Sequence, residues 1–536
     1  MKLRETNLRK LASEDFDVLI VGGGINGAVS AAALAARGVR TALIDRGDFA
    51  GVTSQESSNL AWGGIKYMES YELALVRKLC QARNRLIRAY PSTVQEIPFY
   101  VTHARGFRKS RWLIWLGAWM YWLIGNCFTR RPRWLSLEQM AKEEPILALD
   151  EADGGVEYAD SYLHDNDARF VFNFIRTGLS YGCVAANYIE ANAASQAGAK
   201  GWQVAARDTL TGETFTIRAR VLINACGPYV DAFNRELGVQ TKHRHVLSKG
   251  IHIIVPKLTD SRRVLTFFAD DGRLFFVIPM GPRTCIGTTD TRVDSPEATV
   301  TDEDRDFVLA NINKRLRLPQ PLTRADIIAE RCGVRPLAVD AVAGSGGKDW
   351  MQLSRKHAIE VNGAMLSIFG GKLTDCLNVG DEIFAHVQAL GVVAPFPKRR
   401  WYGEPGEEIR EEFFHQAQLM KLDTLTSPMS SEPLSTRLWR RYGAQAIGLL
   451  ENIRQDPRNA EVLIENAEYL RCEIEQAARR EMITKLDDFL RRRSKIALVV
   501  SQDKLRESAG LREACRILFA EQADEKFAEY FAGHRA

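Results

Sequence analysis

The chain has 536 residues, of which 46% are hydrophobic and 26% are charged, a composition typical of globular proteins. This composition excludes a disordered, a collagen-like or a coiled-coil protein, and the length predicts about two to four structural units. The 72 basic and 67 acidic residues leave a net charge of only +5. Such a nearly even balance argues against a dedicated nucleic-acid-binding protein. Nine scattered cysteines without a CxxC pair favour a reducing compartment. The first 16 residues are charged and lack an apolar stretch, so we expect no secretory signal.

A nucleotide-binding motif begins near the start of the chain. The apolar run at 17–21 predicts a buried parallel strand, and it leads directly into a glycine-rich turn and an alanine-rich helix at 28–37. The glycines of that turn fit GxGxxG and are Gly22, Gly24 and Gly27. A second strand at 39–44 ends at Asp45, which can accept hydrogen bonds from an adenosine ribose. The order predicts a dinucleotide site with the pyrophosphate at the helix N-terminus, but it does not distinguish NAD from FAD.

Further short motifs follow in a fixed order along most of the chain. They are TSQESS at 53–58, GGIKY at 63–67, YAD at 158–160, DAR at 167–169, NACGP at 224–228, KGIH at 249–252, GTTD at 287–290, GVRPL at 333–337, GGKLT at 370–374, RYG at 441–443 and DFLRRR at 488–493. By these motifs residues 16 to about 400 resemble the FAD-dependent glycerol-3-phosphate dehydrogenases of the aerobic bacterial and mitochondrial type. Residues 401–500 resemble that family's C-terminal helical domain.

The resemblance implies an α/β (α+β) fold in three parts. An FAD-binding Rossmann-like domain is interrupted by an antiparallel-sheet substrate domain and followed by a C-terminal helical domain. The expected boundaries are an N-terminal extension at 1–15, an oxidoreductase module at 16–394, a linker at 395–410 and helices at 411–536. Within the module, the expected FAD-binding segments are about 16–70, 165–235 and 335–394, and the substrate and membrane-contact segments are about 71–164 and 236–334.

The resemblance also implies the site residues. The expected FAD contacts are Gly22, Gly24, Ile25, Asn26, Gly27, Asp45, Thr53, Ser54, Ser58, Gly63, Gly64, Val184, Ala225, Gly227, Arg335, Gly371, Lys372, Leu373 and Thr374. The expected substrate contacts are Lys66, Tyr67, Lys249, Arg335 and Lys372, and the expected catalytic residues are His252, Arg335 and Lys372. A helix N-terminus after Gly371 would face the flavin N1–C2=O edge, where negative charge develops. For His252 a structural core histidine and a base for the substrate hydroxyl both stay open.

Several residues depart from the family's usual pattern. Trp62 replaces a histidine, Lys66 replaces an arginine, Cys226 replaces a threonine, and residues 375–377 read Asp-Cys-Leu instead of Thr-Tyr-Arg. We expect a dehydrogenase that oxidises sn-glycerol 3-phosphate to dihydroxyacetone phosphate, with hydride to flavin N5 and electrons to quinone. Two alternatives stay open. One is an FAD oxidase that uses oxygen and acts on a hydroxy acid, an amine or a modified polyol or phosphonate, and the other is a non-catalytic, membrane-associated flavin-binding protein.

A tryptophan-rich run with flanking arginines lies at 105–134. Its apolar part, Trp112–Phe128, spans 17 residues or about 25 Å as a helix, which is short against a hydrocarbon core of roughly 30 Å. We expect a monotopic helix in the membrane surface, with a buried core helix and a spanning helix as alternatives. The monotopic helix implies a peripheral protein on the cytoplasmic face of the inner membrane, with access to the quinone pool; a core helix implies a cytoplasmic protein.

The last quarter of the sequence is helical in its periodicity. Residues 473–493 are highly charged, and we expect a solvated face with ion pairs and no nucleic-acid role. We interpret the region as a helical cap and leave a homodimer open. His243 and His245 alternate as neighbours on a strand with no identifiable third ligand, so we expect no metal site.

Overall fold

The computed structural model describes residues 3–196, 201–269, 272–341, 356–427 and 430–533, which form two large sheets and a set of C-terminal helices. The strands of the first sheet are β1 (Asp15–Val21), β2 (Thr41–Ile44), β6 (Val184–Ala186), β7 (Ile189–Gln196), β8 (Trp202–Asp208), β9 (Thr214–Asn224), β16 (Ala358–Asn362) and β17 (Met365–Phe369). Those of the second sheet are β3 (Val94–Ala104), β4 (Arg133–Leu135), β5 (Ala152–Leu163), β10 (His243–Pro256), β11 (Val264–Phe268), β12 (Leu274–Met280), β13 (Arg283–Gly287), β14 (Thr291–Val293) and β15 (Ala329–Asp340).

The first sheet has a parallel centre, as the nucleotide-binding motif predicts. Strand β1 pairs in parallel with β2 and β9, and β6 and β17 extend the parallel part on either side. Antiparallel pairs, β7 with β8 and β16 with β17, complete it. The β1 side chains from Val18 to Val21 are buried because helices cover one face and further strands the other, which explains the uninterrupted apolar run.

Helices surround this sheet and connect the two sheets. They are α1 (Leu3–Ser13), α2 (Ile25–Ala36), α3 (Leu73–Ala89), α4 (Arg111–Ile124), α5 (Leu137–Glu143), α6 (Asp167–Ser180), α7 (Val230–Glu236), α8 (Asp302–Arg315) and α9 (Cys376–Ala389). Helix α2 packs between α6 and α9, and its alanine side chains let these helices approach closely. The expected N-terminal extension contains α1, which is tied to the sheet by an ion pair between Arg4 and Asp208 at 2.9 Å.

The second sheet is mainly antiparallel, and β10 is its longest strand. β10 pairs with β13, β14 and β15, whereas β3 and β11 form its one parallel pair among the described residues. Because successive side chains point to opposite faces, Ser248, Gly250 and His252 share one face of β10, and Lys249 and Ile251 share the other. The first of these faces looks towards the end of the nucleotide-binding sheet.

The C-terminal region is helical, as expected. Its helices are α10 (Glu407–Leu419), α11 (Leu434–Tyr442), α12 (Ala446–Gln455), α13 (Arg471–Arg480), α14 (Ile496–Val499), α15 (Gln502–Glu507), α16 (Ala509–Phe519) and α17 (Ala523–Gly533), with a π-helical turn at Asp488–Arg493. The predicted fold class, an FAD-binding Rossmann-like domain with an inserted sheet domain and a helical C-terminal domain, is confirmed. The exact domain boundaries stay predictions.

The charged run at 473–493 is not a solvated face, and that expectation is wrong. Arg492 and Arg493 are buried and donate to the carboxylate of Asp48 at 2.7 and 2.8 Å, and Arg491 donates to Glu56 at 2.7 Å. Burial alone would raise the pKa of Asp48, but the two guanidinium groups outweigh it and hold the pKa below its usual value. The end of the chain is thereby joined to the loop that follows β2.

Candidate active site

Two adjoining cavities lie where the two sheets meet. The first extends along the glycine-rich turn, and the second lies between the faces of β10, β12 and β15 and the turn at 370–374. Thr53, Pro336 and Gly371 line both cavities, so the two are continuous. We call them the nucleotide cavity and the substrate cavity.

The nucleotide cavity is shaped by backbone groups that approach closely. A Cβ atom added at Gly27 would lie 1.8 Å from the carbonyl oxygen of Gly22, so only glycine allows this contact. Gly22 itself has a φ of +104°, which favours glycine. The amide of Gly23 donates to Asp45 at 2.6 Å and that of Ile25 to Ser54 at 3.0 Å. A tight, glycine-bounded channel at a helix N-terminus fits a pyrophosphate.

Asp45 lines the nucleotide cavity, and its carboxylate already has two backbone partners. Its oxygens accept hydrogen bonds from the amides of Gly23, at 2.6 Å, and Gly47, at 2.9 Å. Burial raises its pKa, and the two amides oppose that effect. A carboxylate has further lone pairs, so a ribose hydroxyl can be accommodated as well.

Most of the expected cofactor residues line one of the two cavities. The nucleotide cavity is lined by Gly22, Gly24, Ile25, Asn26, Asp45, Thr53, Ser54, Ala225, Gly227 and Gly371. The substrate cavity is lined by Thr53, Ser58, Arg335, Gly371, Lys372, Leu373 and Thr374. Gly27, Gly63 and Gly64 lie behind the cavity walls, where they allow close packing.

Two expected contacts lie elsewhere in the structure. Val184 is buried in β6 at the edge of the sheet, and the wall near it is formed by Ile189–Ala191. Lys249 points to the opposite face of β10 from the substrate cavity, because it has the other parity from His252. Its ammonium group is paired with Asp304 at 2.5 Å, and neither lysine nor carboxylate faces the cavity. Neither residue lines one of the two cavities, and both contacts stay predictions.

Cationic side chains converge on the substrate cavity from several segments. They are Lys66, Arg273, Arg335 and Lys372. The Arg335 guanidinium donates to Thr288 at 2.9 Å and lies 3.4 Å from Asp290, and it occupies the space that a Cβ at Gly250 would need. The Lys372 ammonium lies 4.2 Å from the ring centre of Tyr67 and 5.8 Å from that of Trp62. An anionic group entering the cavity would meet this charge.

His252 is buried in the wall of the same cavity. Its side chain lines the cavity, and neither ring nitrogen has a hydrogen-bond partner within the described residues. Burial lowers its pKa well below the usual value, and the nearby Arg331 and Arg335 lower it further. The imidazole is therefore neutral near pH 7 and has a nitrogen that can accept a proton.

Trp62, one of the residues that depart from the family pattern, belongs to an aromatic wall of the substrate cavity. Trp62 contacts Phe276 edge to face at 6.2 Å between ring centres, and its indole N–H donates to Tyr158 at 3.2 Å. Thr374 donates its hydroxyl hydrogen to the carbonyl of Trp62 at 3.1 Å. The tryptophan thus contacts the turn at 370–374 as well as closing one side of the cavity.

Other lining residues were missed by sequence reasoning. Arg273 and Asp290 line the substrate cavity, and Arg46 lines the nucleotide cavity and stacks on Tyr229 at 3.9 Å. Arg46 directly follows the acidic end of β2, which is a signal that could have indicated it. Arg273 follows no motif, and only the pairing of β11 with β12 brings it to the cavity.

The described residues contain neither a metal-ligand cluster nor a helix that could span a membrane. No group of three or more histidine, cysteine or acidic side chains is arranged to hold a metal ion. No helix in the same residues has both the length and the apolar character needed to span a membrane.

Comparisons with known proteins agree with this geometry. A family model described as FAD dependent oxidoreductase matches residues 17–374, and one described as the C-terminal domain of alpha-glycerophosphate oxidase matches residues 410–516. Glycerol-3-phosphate dehydrogenase 2 of Mycobacterium tuberculosis is 30% identical over 500 residues, covering 91% of this chain and 82% of the relative. D-erythritol 1-phosphate dehydrogenase of Brucella abortus is 30% identical over 497 residues, covering 90% and 94%.

A solved structure shares the fold over nearly the whole chain. The glycerol-3-phosphate dehydrogenase of Bacillus halodurans, complexed with FAD, superposes with a TM-score of 0.73 at 24% identity and covers 99% of this chain and 97% of its own. The chain belongs to the family of FAD-dependent oxidoreductases. It is an FAD-dependent enzyme with the glycerophosphate oxidase type of C-terminal domain, and the resemblance to glycerol-3-phosphate dehydrogenases is confirmed over most of its length.

Proposed function

We propose that the enzyme oxidises the secondary hydroxyl of a small phosphorylated polyol, with sn-glycerol 3-phosphate as the first candidate and dihydroxyacetone phosphate as its product. The observation that carries the proposal is that four cationic side chains converge on one cavity beside the turn at 370–374. They are Lys66, Arg273, Arg335 and Lys372. A phosphomonoester dianion needs charge-assisted donors of this kind. Relatives named for glycerol 3-phosphate and for D-erythritol 1-phosphate both act on phosphorylated polyols, which supports the class.

The chain's own groups divide the work in a simple way. Bound FAD would supply the hydride acceptor, and residues 371–374 would hold it. Arg335 and Lys372 bind the phosphate and orient the carbon that loses hydride. His252, neutral and buried, takes the hydroxyl proton as hydride leaves the carbon that bears this hydroxyl. The two electrons and both hydrogens of the alcohol are thereby accounted for. Trp62 and Phe276 exclude water from the apolar side of the cavity.

An anaerobic titration tests the substrate. We expect sn-glycerol 3-phosphate to bleach the oxidised flavin bands of the purified protein and unphosphorylated glycerol not to bleach them. D-erythritol 1-phosphate tests a longer polyol, and a hydroxy acid and an amine test the oxidase alternative. Bleaching by the amine or hydroxy acid alone would contradict the proposal. Flavin that no compound reduces would favour the non-catalytic alternative.

We propose that the electrons then pass to quinone. A short-chain quinone added to the reduced protein should restore the oxidised spectrum faster than an equal concentration of oxygen. Fast reoxidation by oxygen with peroxide release, and slow reoxidation by quinone, would instead identify an oxidase.

We also propose that α4 binds the membrane surface. One face of α4 packs on the sheet through Ala118 and Tyr121, whereas large apolar side chains on the remaining surface are exposed. These exposed residues are Trp112, Leu113, Leu116, Met120 and Leu123. Basic residues lie at both ends of the helix, although several of them are paired with Glu69 and Glu96. An apolar face of this kind, flanked by arginines, suits the surface of an anionic bilayer.

Sedimentation with vesicles tests this binding. Leu116→Glu combined with Leu123→Glu should release the protein from vesicles containing anionic lipid, because two charges would enter the apolar layer. Leu419→Glu, at an exposed leucine on α10, is the matched control and should still sediment. Unchanged sedimentation of the α4 variant would contradict the proposal. Fractionation of cells then tests the cytoplasmic face of the inner membrane, and sedimentation velocity tests the homodimer.

A further inference from the structure

A compact cluster of charged groups lies behind the turn at 370–374. The His357 ring lies between two carboxylates, with Nδ1 at 2.8 Å from Asp375 and Nε2 at 2.7 Å from Glu382. The Lys78 ammonium lies 3.2 Å from Glu382 and 3.6 Å from Asp375. The cluster therefore joins three elements, namely α3, the start of β16 and the start of α9.

Burial separates the inner from the outer members of this cluster. The side chains of His357 and Asp375 are 2% and 6% exposed, whereas those of Glu382 and Lys78 are both 43% exposed. A buried carboxylate is costly unless a positive charge compensates it. The two carboxylates raise the pKa of His357 to about 9, although burial opposes them, so the ring is an imidazolium at neutral pH.

Asp375 occupies a sensitive position in the chain. It immediately precedes α9 but does not cap that helix, since its carboxylate accepts from the Asn378 side chain at 2.6 Å and faces His357. Its own amide donates to the carbonyl of Lys372 at 2.9 Å, which closes the turn that lines the substrate cavity. A negative charge here cancels part of the positive electrostatic potential at the N-terminus of α9.

The same turn is fixed at its other end by neutral groups. Gly370 donates its amide hydrogen to His245 Nε2 at 2.9 Å and accepts from the Asn26 side chain at 3.1 Å. The Cβ atom of His357 lies 3.7 Å from the position that a Cβ at Gly371 would take. Within the described part of the turn's surroundings, His357 is thus the cation that faces Asp375 most closely.

We propose that the His357 imidazolium is a positioning residue that acts through Asp375: it neutralises this carboxylate so that the N-terminus of α9 can stabilise the negative charge of reduced flavin. The inference rests on the proposed placement of the flavin N1–C2=O edge against residues 371–374. Hydride transfer to N5 leaves that edge with an added negative charge, and an uncompensated Asp375 would disfavour it.

A reductive titration with dithionite tests the proposal without any substrate. His357→Gln should lower the ratio of reduced to oxidised flavin about tenfold at a fixed potential, which corresponds to about 30 mV for a two-electron couple. It should weaken sulfite binding to the oxidised flavin by a similar factor, because that adduct also places negative charge at N1. The wild-type potential should fall more steeply above about pH 9 than that of the variant.

A second substitution separates charge compensation from mere support of the fold. Combining His357→Gln with Asp375→Asn should restore the ratio of reduced to oxidised flavin at a fixed potential to within about twofold of the wild-type ratio, because the uncompensated charge is gone. A purely structural role predicts that the double variant is worse than either single one, and that result would overturn the proposal. His243→Gln is the matched control, since His243, at the start of β10, is paired at 2.6 Å with Glu360 of β16 and not with Asp375.

A milder variant covers the case in which His357→Gln fails to retain FAD. Glu382→Gln leaves the ring and Asp375 in place and removes the outer carboxylate, so the alkaline fall in potential should begin at lower pH. An unchanged profile would contradict the proposal. Because none of these titrations uses a polyol phosphate, a failure of the proposed substrate leaves their outcome unaffected.

Discussion

The nucleotide cavity and the substrate cavity are built in different ways. One wall of the first comes from a single short stretch, Gly22 to Asp45, whose backbone amides and missing side chains shape it, and segments near residues 52, 190, 227 and 371 complete the cavity. The second draws side chains from segments near residues 62–67, 252, 273, 335 and 372, which only the fold brings together. A site of backbone groups tolerates few changes and keeps its cofactor, whereas a site of separate side chains can change its substrate one residue at a time.

The largest effect should follow from a change in the nucleotide cavity. Gly27→Ala places a Cβ where the Gly22 carbonyl now lies, so the backbone must move. We expect purified protein without flavin and a free energy of unfolding lower by about 3 kcal/mol. Absorbance at the flavin bands and chemical denaturation measure both. Gly448→Ala, at a helical glycine with nothing near its Cβ position, is the control and should keep its flavin. A fully loaded Gly27→Ala protein would weaken the comparison.

A change at the proposed base should leave the cofactor in place but slow the reaction. His252→Asn should reduce kcat by about 10²–10⁴-fold while FAD content stays normal. The pKa of His252 is depressed in the folded protein, so its contribution to stability is present above pH 6.5 and is lost as the pH falls, when the unfolded chain takes up a proton. The variant should therefore also lose less stability on acidification. Steady-state kinetics and denaturation at several pH values test both effects, and an unchanged kcat would leave His252 as a core histidine.

The cationic wall should respond in substrate affinity. Arg335→Lys keeps the charge but loses the forked contact with Thr288 and Asp290, so kcat/KM should fall about 10–100-fold, mainly through KM. Arg244→Lys, on the exposed part of β10, should have no such effect. A fall in kcat as large as the fall in kcat/KM, with KM unchanged, would show that Arg335 acts on the reaction step instead of on binding.

The last of these effects should appear in stability at alkaline pH. The pKa of His357 is raised to about 9 in the folded protein, from an ordinary value of 6.5. Its contribution to the free energy of unfolding, about 3 kcal/mol, is therefore complete below pH 6.5 and is lost as the pH rises through 9. Denaturation of the wild type and of His357→Gln at pH 6.5 and 9.5 should converge at the higher pH. Parallel curves would show that the ring is not charged in the folded protein.

Sequence reasoning predicted the two cavities unequally, for the same physical reason. The residues from Gly22 to Asp45 were predictable because a strand, a turn and a helix fix them locally. Lys249 and His252 could not be separated by the motif alone, since they differ only in which face of β10 they occupy. The His357–Asp375 pair had no signal, because it depends on the hairpin of β16 and β17 returning beside α9. Arg492 and Arg493 were misread because their partner, Asp48, lies 444 and 445 residues earlier.

That long-range junction has a consequence for how the protein is made. The loop after β2 that carries Asp48 is synthesised early, but the two guanidinium groups that compensate its buried carboxylate come from the last tenth of the chain. The buried Asp48 carboxylate lacks these two partners until the ribosome has passed residue 493 and the C-terminal region has docked. A chain terminated before this point would leave a buried charge uncompensated beside the nucleotide loop. We therefore expect truncations that remove Arg492 and Arg493 to destabilise the loop after β2, which lies near the beginning of the sequence.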